Sequence, residues 1–182
     1  LLAEKNNYKI NEKIKSFKNT NNTQSKPDTI KRAAKLISNS SKGIIIVGGG
    51  IKYTSGFKPV TELAEYLNVP IVTAAGHGDA IPFNHKLNAG QMGPRGNPVA
   101  TKLTKEADVI IAIGTRLGFN STFLSYEYIN KKAKIIQIEL EKKMLGRYFP
   151  IQIGINADAE ISANQILNEL KKKKIKLEVK NW

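Results

Sequence analysis

The sequence predicts an α/β fold: a doubly wound, mostly parallel sheet of five or six strands with helices on both faces. Three observations point there. Short β-branched runs such as "GIIIV" and "VIIAI" show no polar alternation, which marks strands buried on both faces. Segments of helical periodicity stand between them, so successive strands need crossovers and a parallel arrangement. Most strands run into glycine-rich loops, and in open sheets ligands meet the carboxyl edge. The architecture is Rossmann-like.

The elements follow in order. Residues 1–26 are polar, rich in Asn, Lys, Thr and Ser, and read as a linker. In "SKPDTIKRAAKLISNS", Ser25 is placed to cap a helix, Asp28 sits in its first turn, and Ile30, Ala33, Ala34, Leu36 and Ile37 form an apolar stripe. "GIIIVG" is the first strand. "FKPVTELAEYLN" is a helix with Val60, Leu63, Ala64 and Leu67 on one face. "VPIVTAA" is the second strand and "KLNAGQM" a short third. "PVATKLTKEA" is a helix, followed by the strands "DVIIAIG", "AKIIQIEL" and "FPIQIGI". "DAEISANQILNELKKKK" closes the domain, with acids near its start and lysines at its end, as the helix dipole favours. The domain spans 27–170 and a basic tail covers 171–182. There is no internal repeat.

Composition narrows the function. With no cysteine, disulfides and thiolate metal sites are excluded, and two histidines leave little for a metal cluster. No apolar run approaches a membrane span. The opening "LLAEKNNYKINEK" lacks the basic start and apolar core of a signal peptide, so a soluble cytoplasmic domain is expected. Leu1 in place of a start methionine suggests a piece of something longer. The net charge is +14, which raises nucleic-acid binding. Basic and acidic residues number ten and three in 1–42, seven and six in 43–130, and twelve and six in 131–182. The excess sits at the two ends, and "KKKKIK" carries no aromatic for bases to stack on, which argues against nucleic acid.

The candidate site lies at the strand ends. Gly48-Gly49-Gly50 follow the first strand, "AAGHGDAIP" the second, "GQMGPRGN" the third and "GTRLGFNST" the fourth. Glycine lets backbone N–H groups approach a phosphate. The dinucleotide fingerprint is absent, because Gly48, Gly50 and Gly56 are wrongly spaced and no helix follows directly. The triplet reads equally as a tight turn. Arg116 suits a phosphate or carboxylate clamp, or an ion pair with an acid such as Asp79. Glu139 suits ribose hydroxyls, or is an exposed strand end. His77 reads as an acid or base, or as a loop residue. Asp158 reads as a helix cap that also faces the crevice.

Taken together, "IIIVGGG", "LAEYLNVPIVTAAGHGDAIPFNHKLNAGQMGPRGN", "EADVIIAIGTRLGFNSTF", "AKIIQIELE" and "IGINADA" resemble the central domain of thiamine-diphosphate-dependent enzymes of the acetolactate synthase and pyruvate oxidase type. The resemblance covers Pro27 to Leu170. "GTRLGFNST" and "LGRYFPIQIGINADA" are most similar to the sulfoacetaldehyde acetyltransferase branch. It implies a parent transferase or lyase acting on 2-oxo acids or sulfoacetaldehyde. That parent would bind thiamine diphosphate and magnesium on flanking N- and C-terminal domains and form a homo-oligomer. Those domains supply an activating glutamate and a G-D-G…N motif. "Gly78-Asp79-Ala80" matches only partly and runs into Ile81-Pro82, so this chain is expected to be inactive alone. The resemblance also implies a cleft that takes FAD in one branch, ADP in others and nothing in some, at Gly48, Gly49, Gly50, Thr73, Gly76, Gly93, Arg95, Gly114, Arg116, Glu139 and Asp158. Leu117-Gly118-Phe119-Asn120 stands where the flavin-binding branch carries an aromatic-Asp-Asp-Arg run, which weighs against flavin. A free-standing FAD- or ADP-binding module is the alternative, and a nucleic-acid-binding domain using the basic ends is the second.

Overall fold

The computed structural model describes residues 23–53 and 57–177, and most of the expected linker lies outside them. Six strands form one sheet: β1 (Gly43–Val47), β2 (Ile71–Thr73), β3 (Asn88–Gln91), β4 (Val109–Ile113), β5 (Lys134–Ile138) and β6 (Ile153–Ile155). Their order is β3-β2-β1-β4-β5-β6 and every pairing is parallel. The helices are α1 (Pro27–Ser38), α2 (Lys58–Leu67), α3 (Pro98–Glu106), α4 (Phe119–Thr122) and α5 (Ala159–Lys172). Short 3-10 turns occupy Gly49–Tyr53 and Lys142–Met144.

Alternation along the strands divides the core in two. Ile45 and Val47 of β1, Ile111 and Ile113 of β4, and Ile136 and Ile138 of β5 face one side. There they meet Ile30, Ala33, Ala34 and Ile37 of α1, Val60, Leu63, Ala64 and Leu67 of α2, and Ala163, Ile166, Leu167 and Leu170 of α5. Ile44, Ile46, Ile110 and Ala112 face the other side, with Ala100 of α3 and Leu117, Ile129 and Phe149 from loops. Successive side chains of a strand point to opposite faces, so a run apolar throughout is what a two-sided core demands. Each fully buried isoleucine or leucine contributes roughly 1.5–3 kcal/mol.

Three local details differ from expectation. Ser25 does not cap α1. The N-cap is Lys26 without a side-chain bond, and Pro27 opens the helix. Ser25 instead donates its N–H to Gln165 Oε1 at 3.1 Å and accepts from Gln165 Nε2 at 3.3 Å, tying the entering chain to α5. The segment after β4 contains α4, which the sequence reading did not foresee. Beyond α5, Ile175 and Leu177 pack against the core, so this stretch of the expected tail is anchored.

At the amino edge, one carboxylate joins two connections. Asp108 accepts from the Ser40 hydroxyl, from the Ser41 N–H at 2.7 Å and from the Lys42 N–H at 3.1 Å. Burial works to raise its pKa, but these donors together with the Val109 N–H outweigh it and hold the carboxyl below the usual carboxylate range. Among the described residues, no helix is long and apolar enough to cross a membrane.

Candidate nucleotide-binding rim

A parallel sheet puts all six strand ends on one rim, and the order reverses between β1 and β4, where an open sheet has its crevice. The ladder continues into the loops. Ala74 N–H donates to Val47 O at 2.7 Å, Met92 N–H to Thr73 O at 2.9 Å, and Gly114 N–H to Ile138 O at 2.9 Å. Glu139 N–H donates to Ile155 O at 3.0 Å.

The glycine triplet is locked against the end of β4. Gly48 N–H donates to Ile113 O at 3.0 Å and Gly50 N–H to Gly114 O at 2.9 Å. A Cβ on Gly48 would lie 2.5 Å from Gly114 O and 2.6 Å from Thr115 Cβ. A Cβ on Gly50 would lie 2.6 Å from Gly114 Cα. Gly114 has φ +59°, so both the approach and the conformation require glycine there. Two of the triplet's three amides are therefore used by backbone carbonyls. Gly49 lies beneath the His77 ring, where an added Cβ would be 2.6 Å from Cε1.

The remaining predicted residues distribute around this turn. Thr73, at the end of β2, is buried, and its hydroxyl has no partner. His77 is half-buried with Nδ1 likewise unpartnered. Gly76 donates its N–H to Gln91 Oε1 at 3.0 Å. Gly93 approaches α4, its would-be Cβ 2.6 Å from Ser121 O. Arg95 and Arg116 are exposed, and neither has an ion pair among the described residues. The expected Arg116–Asp79 pair does not form. Asp79 binds Lys52 from the 3-10 turn instead, and that hydrogen bond, with Lys52's charge, draws the carboxyl below its usual range. Glu139 is half-buried, its Oε1 accepting the Glu141 N–H at 3.2 Å. Asp158 caps α5, accepting the Ile161 N–H at 3.0 Å.

Several rim residues were not singled out from sequence. Ser121 Oγ accepts the Ala75 N–H at 3.0 Å, joining the loops after β2 and β4. Gln137 is buried in β5. Its Nε2 donates to Thr115 O at 3.1 Å and its Oε1 accepts the Gly146 N–H at 2.8 Å. A lone amide in the otherwise apolar buried run "IIQI" was the available signal, since a buried polar group needs partners.

Two exposed arginines, Arg95 and Arg116, follow β3 and β4, and two buried polar atoms, Thr73 Oγ1 at the end of β2 and His77 Nδ1 in the loop after it, have no hydrogen-bond partner. Among the described residues no group of three or more His, Asp or Glu side chains could hold a metal ion, and the Asp79 carboxylate is engaged by Lys52.

Residues 30–170 match the family model described as thiamine pyrophosphate enzyme, central domain. A sulfoacetaldehyde acetyltransferase of Roseovarius nubinhibens is 37% identical over 145 residues, covering 79% of this chain and 24% of that protein. A probable acetolactate synthase large subunit of Methanocaldococcus jannaschii is 33% identical over 155 residues, 85% of this chain and 25% of its own. A 3D-(3,5/4)-trihydroxycyclohexane-1,2-dione hydrolase of Clostridium tetani is 28% identical over 143 residues, 79% and 22%. The chain thus spans about a quarter of the length of the curated relatives it matches.

Proposed function

We propose that this chain, which belongs to the thiamine pyrophosphate enzyme central-domain family, is the scaffolding domain of a larger thiamine-diphosphate-dependent transferase or lyase, and that its rim binds an adenine nucleotide diphosphate. The parent acts on 2-oxo acids or sulfoacetaldehyde, a reading supported by the likeness to a sulfoacetaldehyde acetyltransferase and a probable acetolactate synthase. Thiamine diphosphate and its metal belong to other domains of that parent, where they supply the carbanion chemistry. This chain's residues bind and orient.

One observation carries the nucleotide reading. Arg116 follows β4 at the reversal of strand order, exposed and with no acid partner among the described residues. A guanidinium so placed is suited to two phosphate oxygens at once. Glu139, one strand further along the rim, suits ribose hydroxyls. ADP is favoured over FAD, because Leu117-Gly118-Phe119-Asn120 lacks the acids and the arginine that the flavin-binding branch carries there.

A second reading, a purely structural domain, is favoured by the Gly48 and Gly50 amides being used on Ile113 and Gly114. Thermal-shift titration with ADP, FAD and CoA separates the two. A ligand at a hundred times its Kd adds about 2.7 kcal/mol of stability. A saturable rise in melting temperature with ADP supports the nucleotide site. No rise at millimolar ligand leaves only the scaffold.

A further inference from the structure

We propose that a cleft beside α3, which meets the β3 end of the rim at Gly93, binds a small planar organic anion. Its volume is about 610 Å³, and Pro94, Pro98, Thr101, Lys102, Lys105 and Tyr128 line it. Small-molecule sites span roughly 300–1,000 Å³ and combine apolar walls with a few polar groups.

The walls are rigid and suited to a flat ligand. Two prolines fix one side. The Tyr128 ring stands edge-on to Phe123 with centroids 5.9 Å apart, and the Tyr128 carbonyl accepts the Thr104 hydroxyl at 2.8 Å. The aromatic face is therefore held in place. Thr101 Oγ1 accepts the Gly93 N–H at 3.3 Å, which leaves its own proton to donate.

Charge selects an anion. Lys102 and Lys105 are three residues apart on α3 and so share a face. Glu106 also lines the cleft, but Lys42 holds it at 3.0 Å and Lys102 at 3.9 Å. Lys105 has no ion pair among the described residues. Two lining ammonium groups, Lys102 and Lys105, face one lining carboxylate, Glu106, which Lys42 also neutralises from outside the lining, so the cleft is net positive, with Tyr128 beside the charge.

The test uses naphthalene-2-carboxylate as probe on the 182-residue chain, followed by amide chemical shifts. Saturable shifts at Gly93, Gly96, Thr101 and Tyr128 are expected, with far weaker binding of neutral naphthalene-2-methanol. Lys102 and Lys105 are exposed, so Lys102→Gln and Lys105→Gln should leave the fold intact. Each should weaken the probe about two- to fivefold, the scale of an exposed ion pair. Tyr128→Leu should weaken it about fivefold through lost stacking. No saturable shift at millimolar probe, equal binding of the neutral analogue, or unchanged affinity in the double lysine variant would each overturn the proposal.

Discussion

Gly48→Ala tests whether the glycine triplet is a packing device. The added methyl would sit 2.5 Å from Gly114 O, 2.6 Å from Thr115 Cβ and 2.9 Å from Thr115 Cα. Two of these atoms are backbone and the third is bonded to it, so no flexible side-chain end can swing away. Overpacking a dense interior costs about 1–3 kcal/mol, and a backbone neighbour places this site near the upper value. The Gly48 N–H bond to Ile113 O, 3.0 Å, is strained by the same movement. With an m-value of about 2 kcal/mol/M, the urea midpoint should fall by about 1–1.5 M. Two controls divide the cost. Gly78→Ala meets nothing within 4 Å and should be neutral within about 0.5 kcal/mol. Gly76→Ala also meets nothing, but φ is +81°, so it should lose about 1–2 kcal/mol from conformation alone. Equal midpoints for Gly48→Ala and Gly78→Ala would refute the interlocked turn.

Other perturbations follow from the same geometry. Asp108→Asn should destabilise by about 1–3 kcal/mol at neutral pH, since it weakens bonds from Ser40, Ser41 and Lys42. The folded carboxyl lies below its unfolded value of about 3.9, so its contribution is complete above that value and fades as pH falls through the folded pKa. Urea melts of both proteins should therefore converge in acid, and a constant difference down to pH values near 2 (about two units below the unfolded value) would contradict the assignment. Gln137→Leu strands Thr115 O and Gly146 N–H and should cost about 1–3 kcal/mol by chemical denaturation. Asp158→Ala removes the α5 cap and should cost about 1 kcal/mol, with Asp158→Ser recovering most of it.

The sheet was legible because its central strands are apolar on both faces. "GIIIV" and "VIIAI" admit few other readings once helical segments separate them. β3 was harder. Asn88–Gln91 is half-buried at the sheet edge, so little apolar pressure acts on its residue types. The positions of the rim loops followed from strand direction, yet their partners did not. Asp79 pairs with Lys52 because a 3-10 turn after the glycines presents that lysine, and no periodicity announces such a turn. Ser25 looked like a cap by residue type, but Gln165, 140 positions away, takes its backbone. Local chemistry identifies a residue's options, and tertiary contact selects among them.

The central claim is that Arg116 makes the rim a phosphate site. Isothermal titration of ADP into the chain and into Arg116→Ala tests it most directly. One saturable site is expected, weakened in the variant by about 1.5–3 kcal/mol, the scale of a hydrogen bond to a charged group. Absence of binding to the unaltered chain, or the same affinity in both proteins, would contradict it.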